Sequence, residues 1–182
     1  MERVRAALAS RNENKLRELA RVLEGWELEL LDVDEYPAET GASYYENARA
    51  KARFGHEHAG GWVLGEDSGI EAAGLGGRPG LHSSREGGSD PHWLLRELDG
   101  IEDRSARYAC ELVAIDPDGR EHRGTGILEG RIAAEPRGSE GFGYDPVFVP
   151  EGEERTVAEL GNDWKVENSH RARAARALLA SQ

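Results

Sequence analysis

Lysine is nearly absent from this chain. Of 23 basic residues only Lys15, Lys51 and Lys165 are lysine, and every other basic position is arginine. A compact ammonium approaches a phosphate oxygen as a point charge, whereas guanidinium is a broad planar fork, so the three positions merit inspection. Cysteine is scarcer still: Cys110 stands alone, which excludes an intramolecular disulfide and suits a reducing cytoplasm. Within RYACELVAI it reads as a small buried hydrophobe. No run of about 18 apolar residues occurs, so no membrane-spanning helix is expected, and MERVRAALAS is too short and too charged for a signal peptide. Positive charge is in deficit as well. A net charge of −12 argues against a general nucleic-acid binder, while a small phosphorylated ligand needs only a local basic pocket. The expectation is a cytoplasmic protein that engages neither membrane nor nucleic acid, with residues 1–182 forming one domain.

The densest stretch is Gly65 to Arg85, GEDSGIEAAGLGGRPGLHSSR. Trp62, Val63 and Leu64 read as the end of a buried strand, which puts Glu66 and Asp67 at its C-terminal edge, where open α/β sheets place ligands. Carboxylates there can hold a hard divalent cation or take a proton from water. Gly74, Gly76, Gly77 and Gly80 allow close backbone approach to an anion. An acidic turn followed by a flexible loop fits the same letters.

Along the chain, Val4 to Ala9 reads as a strand and Ser10, Asn12 and Asn14 as cap residues before a helix bearing Leu16, Leu19, Ala20 and Leu23. That order delivers free N–H groups and a helix N-terminus, with Lys15 in the first turn; an ordinary capped helix has the same signature. Trp26 to Val33 predicts a second strand, Tyr36 to Ser43 a loop carrying Glu39, and Tyr44 to Ala59 a helix with Tyr45, Ala48 and Ala52 on one stripe. His56 and His58 fall on different faces of it, which disfavours zinc. Pro91 to Leu98 reads as a short packed helix. Arg107 to Ile115 and Arg123 to Ile132 form a hairpin around Asp116-Pro117-Asp118-Gly119, so the sheet is not purely parallel. Gly138 to Pro146 is a second glycine-rich loop, Val147 to Val149 a brief strand, and Ser169 caps a last helix through Leu179. Strands mixed with helices define an α/β fold. Phe142 and Tyr144, flanked by glycines, can wall a flat base or simply pack a corner. Ser169-His170-Arg171 suits a purine carbonyl edge or a phosphate, and also serves as a plain cap.

In order, SRNENK, ETG, ENARAK, EDSG, LGGRPG, FGYDP and K-x₃-SHR resemble the inosine triphosphate pyrophosphatase family, also called the Ham1 family. Each motif is weak alone, but the ordered set covers nearly the whole chain. The resemblance implies an elongated mixed β-sheet flanked by helices, a homodimer, and Mg²⁺-dependent hydrolysis of ITP, dITP and XTP to monophosphate and pyrophosphate. It implies a first phosphate loop at Ser10, Arg11, Asn12, Glu13, Asn14 and Lys15, with Lys51 as a second phosphate contact. Glu39 and Asp67 would handle the metal, with Glu66 beside them, and Asp67 would be the proton acceptor next to Ser68. Phe142, Gly143, Tyr144, Asp145, Lys165, His170 and Arg171 would surround the base, and Arg85 matches an arginine after the glycine-rich loop. Glu66 stands where that family often has aspartate, and Arg11 where it has a small residue.

Overall fold

A strand, a polar cap and an amphipathic helix open the chain, as the sequence predicts. In the computed structural model, which describes residues 3–182, β1 (Val4–Leu8) leads to α1 (Glu13–Val22), whose N-cap is Asn12. There follow β2 (Trp26–Leu30), α2 (Tyr44–Ala59), β3 (Trp62–Ala72), β4 (Arg78–Pro79) and α3 (Pro91–Glu97). The chain continues through β5 (Ser105–Ile115), β6 (Glu121–Ile132), β7 (Phe148–Pro150), α4 (Val157–Asn168) and α5 (His170–Ala180). The strands form one seven-stranded sheet in the order β2-β1-β3-β5-β6-β7, with β4 paired to β3. Pairing of β1 with β2 and with β3 is parallel, whereas β3 with β4 and β6 with β7 are antiparallel, so the expected mixed sheet flanked by helices is present.

The residues gather into two compact units. One comprises Met1–Asp67, Cys110–Gly126 and Arg171–Gln182; the other, Ser68–Ala109 and Ile127–His170. In the first unit, Leu8, Leu64, Cys110 and Leu112 pack under Leu19 of α1, its C-cap Leu23, and Ala174, Ala175 and Leu178 of α5. Ala48 and Ala52 of α2 pack against Val113 and Ile115. Two glycines bring helices that close. A Cβ on Gly65 would lie 2.0 Å from the Ala48 carbonyl oxygen, and one on Gly124 2.0 Å from that of Ala174. The second unit is built on Ile70, Leu94, Leu98, Tyr108, Leu128, Tyr144 and Phe148.

Three local expectations change. Glu66 and Asp67 do not emerge at a strand end: β3 runs on to Ala72, because Ile70 and Ala72 are also core residues. The stretch after it is not an open anion loop but two short 3₁₀ turns around β4, and Gly74 is needed for packing, since a Cβ there would meet the Asp103 carbonyl at 2.5 Å. Helix α4 was not expected. Thr156 and Glu159 start it with a capping box, and at Gly161 (φ 92°) the helical path breaks while Glu140 caps the resumed turn through Asn162 N at 2.6 Å.

Candidate active site

Period-two alternation decides where the two adjacent acids go. Successive side chains of a strand point to opposite faces. Leu64 packs toward α1 and α5, while Val63 packs with Ala9 and Leu31 and has Phe54 of α2 nearby. Glu66 follows Leu64, and Asp67 follows Val63.

Glu66, only 1% exposed, meets Lys15 of α1 and Arg171 of α5. Lys15 Nζ lies 2.5 Å from Oε2, and Arg171 Nη2 and Nε donate to Oε1 at 3.0 and 3.1 Å. Cys110 Sγ is 3.4 Å from the same oxygen, and Glu18 pairs with the other arm of Arg171. Two acids thus face two cations. Burial alone would raise the Glu66 carboxyl, but Lys15 and Arg171 together hold it well below the ordinary range. Burial next to that carboxylate pushes the Cys110 thiol well up, so it is an inert buried group as expected.

Asp67 turns to α2. Asn47 Nδ2 donates to Oδ2 at 2.9 Å, and Lys51 Nζ lies 3.4 Å from Oδ1 and 2.5 Å from Glu39 Oε1. Here two carboxylates share one ammonium. Burial raises the Asp67 carboxyl, and Lys51 and Asn47 compensate only in part. Burial opposes the charge on Lys51, yet Asp67 and Glu39 outweigh it and raise the group. Among the described residues no three His, Cys, Asp or Glu side chains gather into a metal cage. Mg²⁺ needs none, since one or two carboxylates with waters and substrate phosphates suffice. Glu39 and Asp67, hard oxygen donors converging on the Lys51 ammonium, fit it. Glu66 is not brought together with them: it lies on the other face with both oxygens taken by cations.

The first loop is more closed than its sequence implies. Asn12 N donates to Ser10 Oγ at 3.0 Å, and Asn14 N and Lys15 N donate to Asn12 Oδ1 at 2.9 and 3.3 Å, so these three N–H groups are already bonded. Arg11 is exposed and donates to the Asp34 carbonyl, while Glu13 and Asn14 lie at the surface.

In the second unit, Asp145 is a hub. It is 3% exposed and accepts from Tyr108 Oη at 3.0 Å, Lys165 Nζ at 2.6 Å and Phe142 N at 3.0 Å. The Lys165 ammonium also lies 4.7 Å from the centre of the half-buried Phe142 ring, and His170 stacks on Tyr108 at 4.4 Å. Phe142, Asp145, Lys165 and His170 therefore come together, with Tyr108 as a partner that the sequence did not single out. Gly143 takes the turn at φ 62°. Tyr144 is different: it is core, with its hydroxyl donating to the Ser83 carbonyl at 3.3 Å, because the loop folds its apolar ring inward. Burial pushes that phenol up to about 12. Ser68 is half-buried at the start of this unit, and Arg85 is exposed, in contact with His82 at 3.1 Å and outside both clusters.

Sequence reasoning missed Asn47, Glu18 and Tyr108. Asn47 had a usable signal, since it precedes Lys51 by four residues and so shares its helix face. Glu18 and Tyr108 carried none that distinguishes them from surface and core.

These features define an α/β protein with buried carboxylates set against lysine and arginine side chains. The chain belongs to the Ham1 family, whose sequence model matches residues 6–181. It is similar to the dITP/XTP pyrophosphatase of Bacillus licheniformis, 41% identical over 186 residues and covering 95% of each chain. The dITP/XTP pyrophosphatase of Symbiobacterium thermophilum is 44% identical, over 96% of this chain and 92% of that one. The solved structure of the Staphylococcus aureus Ham1 protein superposes with a TM-score of 0.83 at 30% identity, over 97% of this chain and 96% of that one.

Proposed function

We propose that this chain is a nucleoside triphosphate pyrophosphatase that hydrolyses ITP, dITP and XTP to the monophosphate and pyrophosphate, and so removes deaminated purines from the nucleotide pool. The observation that carries it is the convergence of the Asp67 and Glu39 carboxylates on the Lys51 ammonium, in a chain whose relatives are named for that activity. Glu39 and Asp67 would hold Mg²⁺, which would supply charge neutralisation and polarise a phosphoryl group. Asp67 takes the proton of the water that attacks the α-phosphorus, as the bond to the bridging oxygen breaks and pyrophosphate leaves. Lys51 and Lys15 stabilise charge on the departing pyrophosphate. Phe142 offers a face to the base and Lys165 and His170 offer donors to a 6-oxo group. The 6-amino group of adenine leaves such donors unpaired, which can cost several orders of magnitude in kcat/KM. A homodimeric state and a cytoplasmic location belong to the same proposal.

The test is pyrophosphate release from ITP, XTP, ATP, GTP, dTTP and 7-methyl-GTP with Mg²⁺, alongside Asp67→Asn. Preference for ITP and XTP, with kcat down by about 10³-fold or more in the variant, is the expected result. Asp67→Asn also removes a buried carboxylate whose charge burial disfavours, so its melting temperature should match or exceed the parent's. Turnover of another base, or near-normal kcat in Asp67→Asn, overturns the assignment.

A further inference from the structure

The Asp67 carboxylate is held from α2 by a side chain that also holds the loop carrying Glu39. Asn47 is 2% exposed and its carboxamide is used at both ends. Nδ2 donates to Asp67 Oδ2 at 2.9 Å, while Oδ1 accepts from Gly41 N at 2.8 Å. The second bond fixes which end of the amide faces which partner, because a backbone N–H requires an oxygen. Gly41 itself is fitted to this contact, since a Cβ there would stand 2.6 Å from Asn47 Oδ1. Two further bonds clamp the same loop to the first turn of α2: Ala42 N to Glu46 Oε2 at 2.7 Å, and Glu46 N to Ser43 Oγ at 3.2 Å. Glu39, two residues before Gly41, then reaches Lys51 one helical turn beyond Asn47.

We infer that Asn47 is a positioning residue for the reaction, and this rests on the pyrophosphatase reading above. By donating to one oxygen of Asp67 it fixes the carboxylate plane and leaves Oδ1 toward Lys51, while its own oxygen sets the distance between the Glu39 loop and β3. Asp67 is then aimed before substrate arrives, and a reacting group misplaced by about 1 Å can lose about 10²-fold in rate. Asn47 itself touches neither water nor phosphate in this role, so its removal acts on kcat rather than on substrate affinity.

The experiment compares the parent with Asn47→Ala and Asn47→Asp, reading kcat and KM for ITP together with melting temperature. Asn47→Asp is nearly isosteric and keeps an acceptor for Gly41 N–H, but it replaces the amide donor with a second carboxyl that either repels Asp67 or ties up its oxygen in a shared proton. Both variants should lose kcat by about 30- to 100-fold with KM within about threefold. A folded Asn47→Asp with parental kcat, or a loss confined to KM, overturns the inference while leaving the function intact. A stability coupling adds a readout independent of turnover: Asn47→Ala and Asp67→Ala should be non-additive in urea unfolding, and strict additivity also counts against the contact. A parent that releases no pyrophosphate from any of the triphosphates overturns both.

Discussion

Glu66 and Asp67 are neighbours in sequence and opposites in physical situation. Both are buried carboxylates on β3, yet at Glu66 Lys15 and Arg171 outweigh burial, while at Asp67 burial outweighs Lys51 and Asn47, so the first is held well below the ordinary range and the second is raised. Glu66→Gln should therefore destabilise strongly, by about 3–5 kcal/mol, because Lys15 and Arg171 lose a buried partner. The pH dependence has a definite sign. A carboxyl whose folded value is depressed contributes stability above its unfolded value, near 4.5, and loses it progressively as pH falls below that. Urea unfolding of parent and variant should differ most at pH 7 and converge below about pH 4.5; a gap that widens toward acid would show that the lost stability came from something other than this charge.

At the scale of elements, the helices are placed by what the strands leave out. Gly65 and Gly124 admit backbone atoms of α2 and α5 to within distances that no Cβ allows. Gly65→Ala should cost about 3 kcal/mol by pushing α2 off the strand, and with it Asn47 and Lys51 off Asp67, so kcat should fall together with the urea midpoint. Gly124→Ala should cost similar stability, while the folded fraction keeps more of its kcat, since α5 meets Gly124 at Ala174 and Leu178, beyond Arg171. Equal losses of kcat in the two variants would mean that the α2 contact has no special bearing on the site. The helix span Tyr44–Ala59, the Asp116–Gly119 hairpin and the β1 to α1 order were legible because periodicity and turn residues are local signals. The division of Glu66 from Asp67 was foreseeable in principle from period-two alternation. It was obscured by ending the strand at Leu64, where Gly65 reads as a terminator although it is in truth the close-approach point of a helix. Helix α4 was hidden by Gly161 and by a cap supplied by the distant Glu140, and a partner 22 positions away leaves no local pattern.

The whole chain has an arrangement that no local signal discloses. Neither compact unit is a continuous segment: the chain enters the second unit after Asp67, returns at Cys110, leaves again after Gly126 and comes back at Arg171. Each crossing falls inside a strand or at the start of α5, not in a linker: β3, β5 and β6 each supply residues to both units. Domain boundaries ordinarily fall in exposed linkers that few contacts cross. A unit whose strands are continued by the other cannot lose its own ladder without disturbing its neighbour's, so unfolding should be one cooperative transition. The four tryptophans make this measurable, since Trp26 and Trp62 lie in the first unit and Trp93 and Trp164 in the second. Two variants, one retaining each pair with the other two residues replaced by phenylalanine, should show urea midpoints that coincide with their own far-ultraviolet circular dichroism transitions. If in either variant the fluorescence midpoint precedes the circular dichroism midpoint, the units unfold in sequence, and the shared strands do not transmit the loss of one to the other.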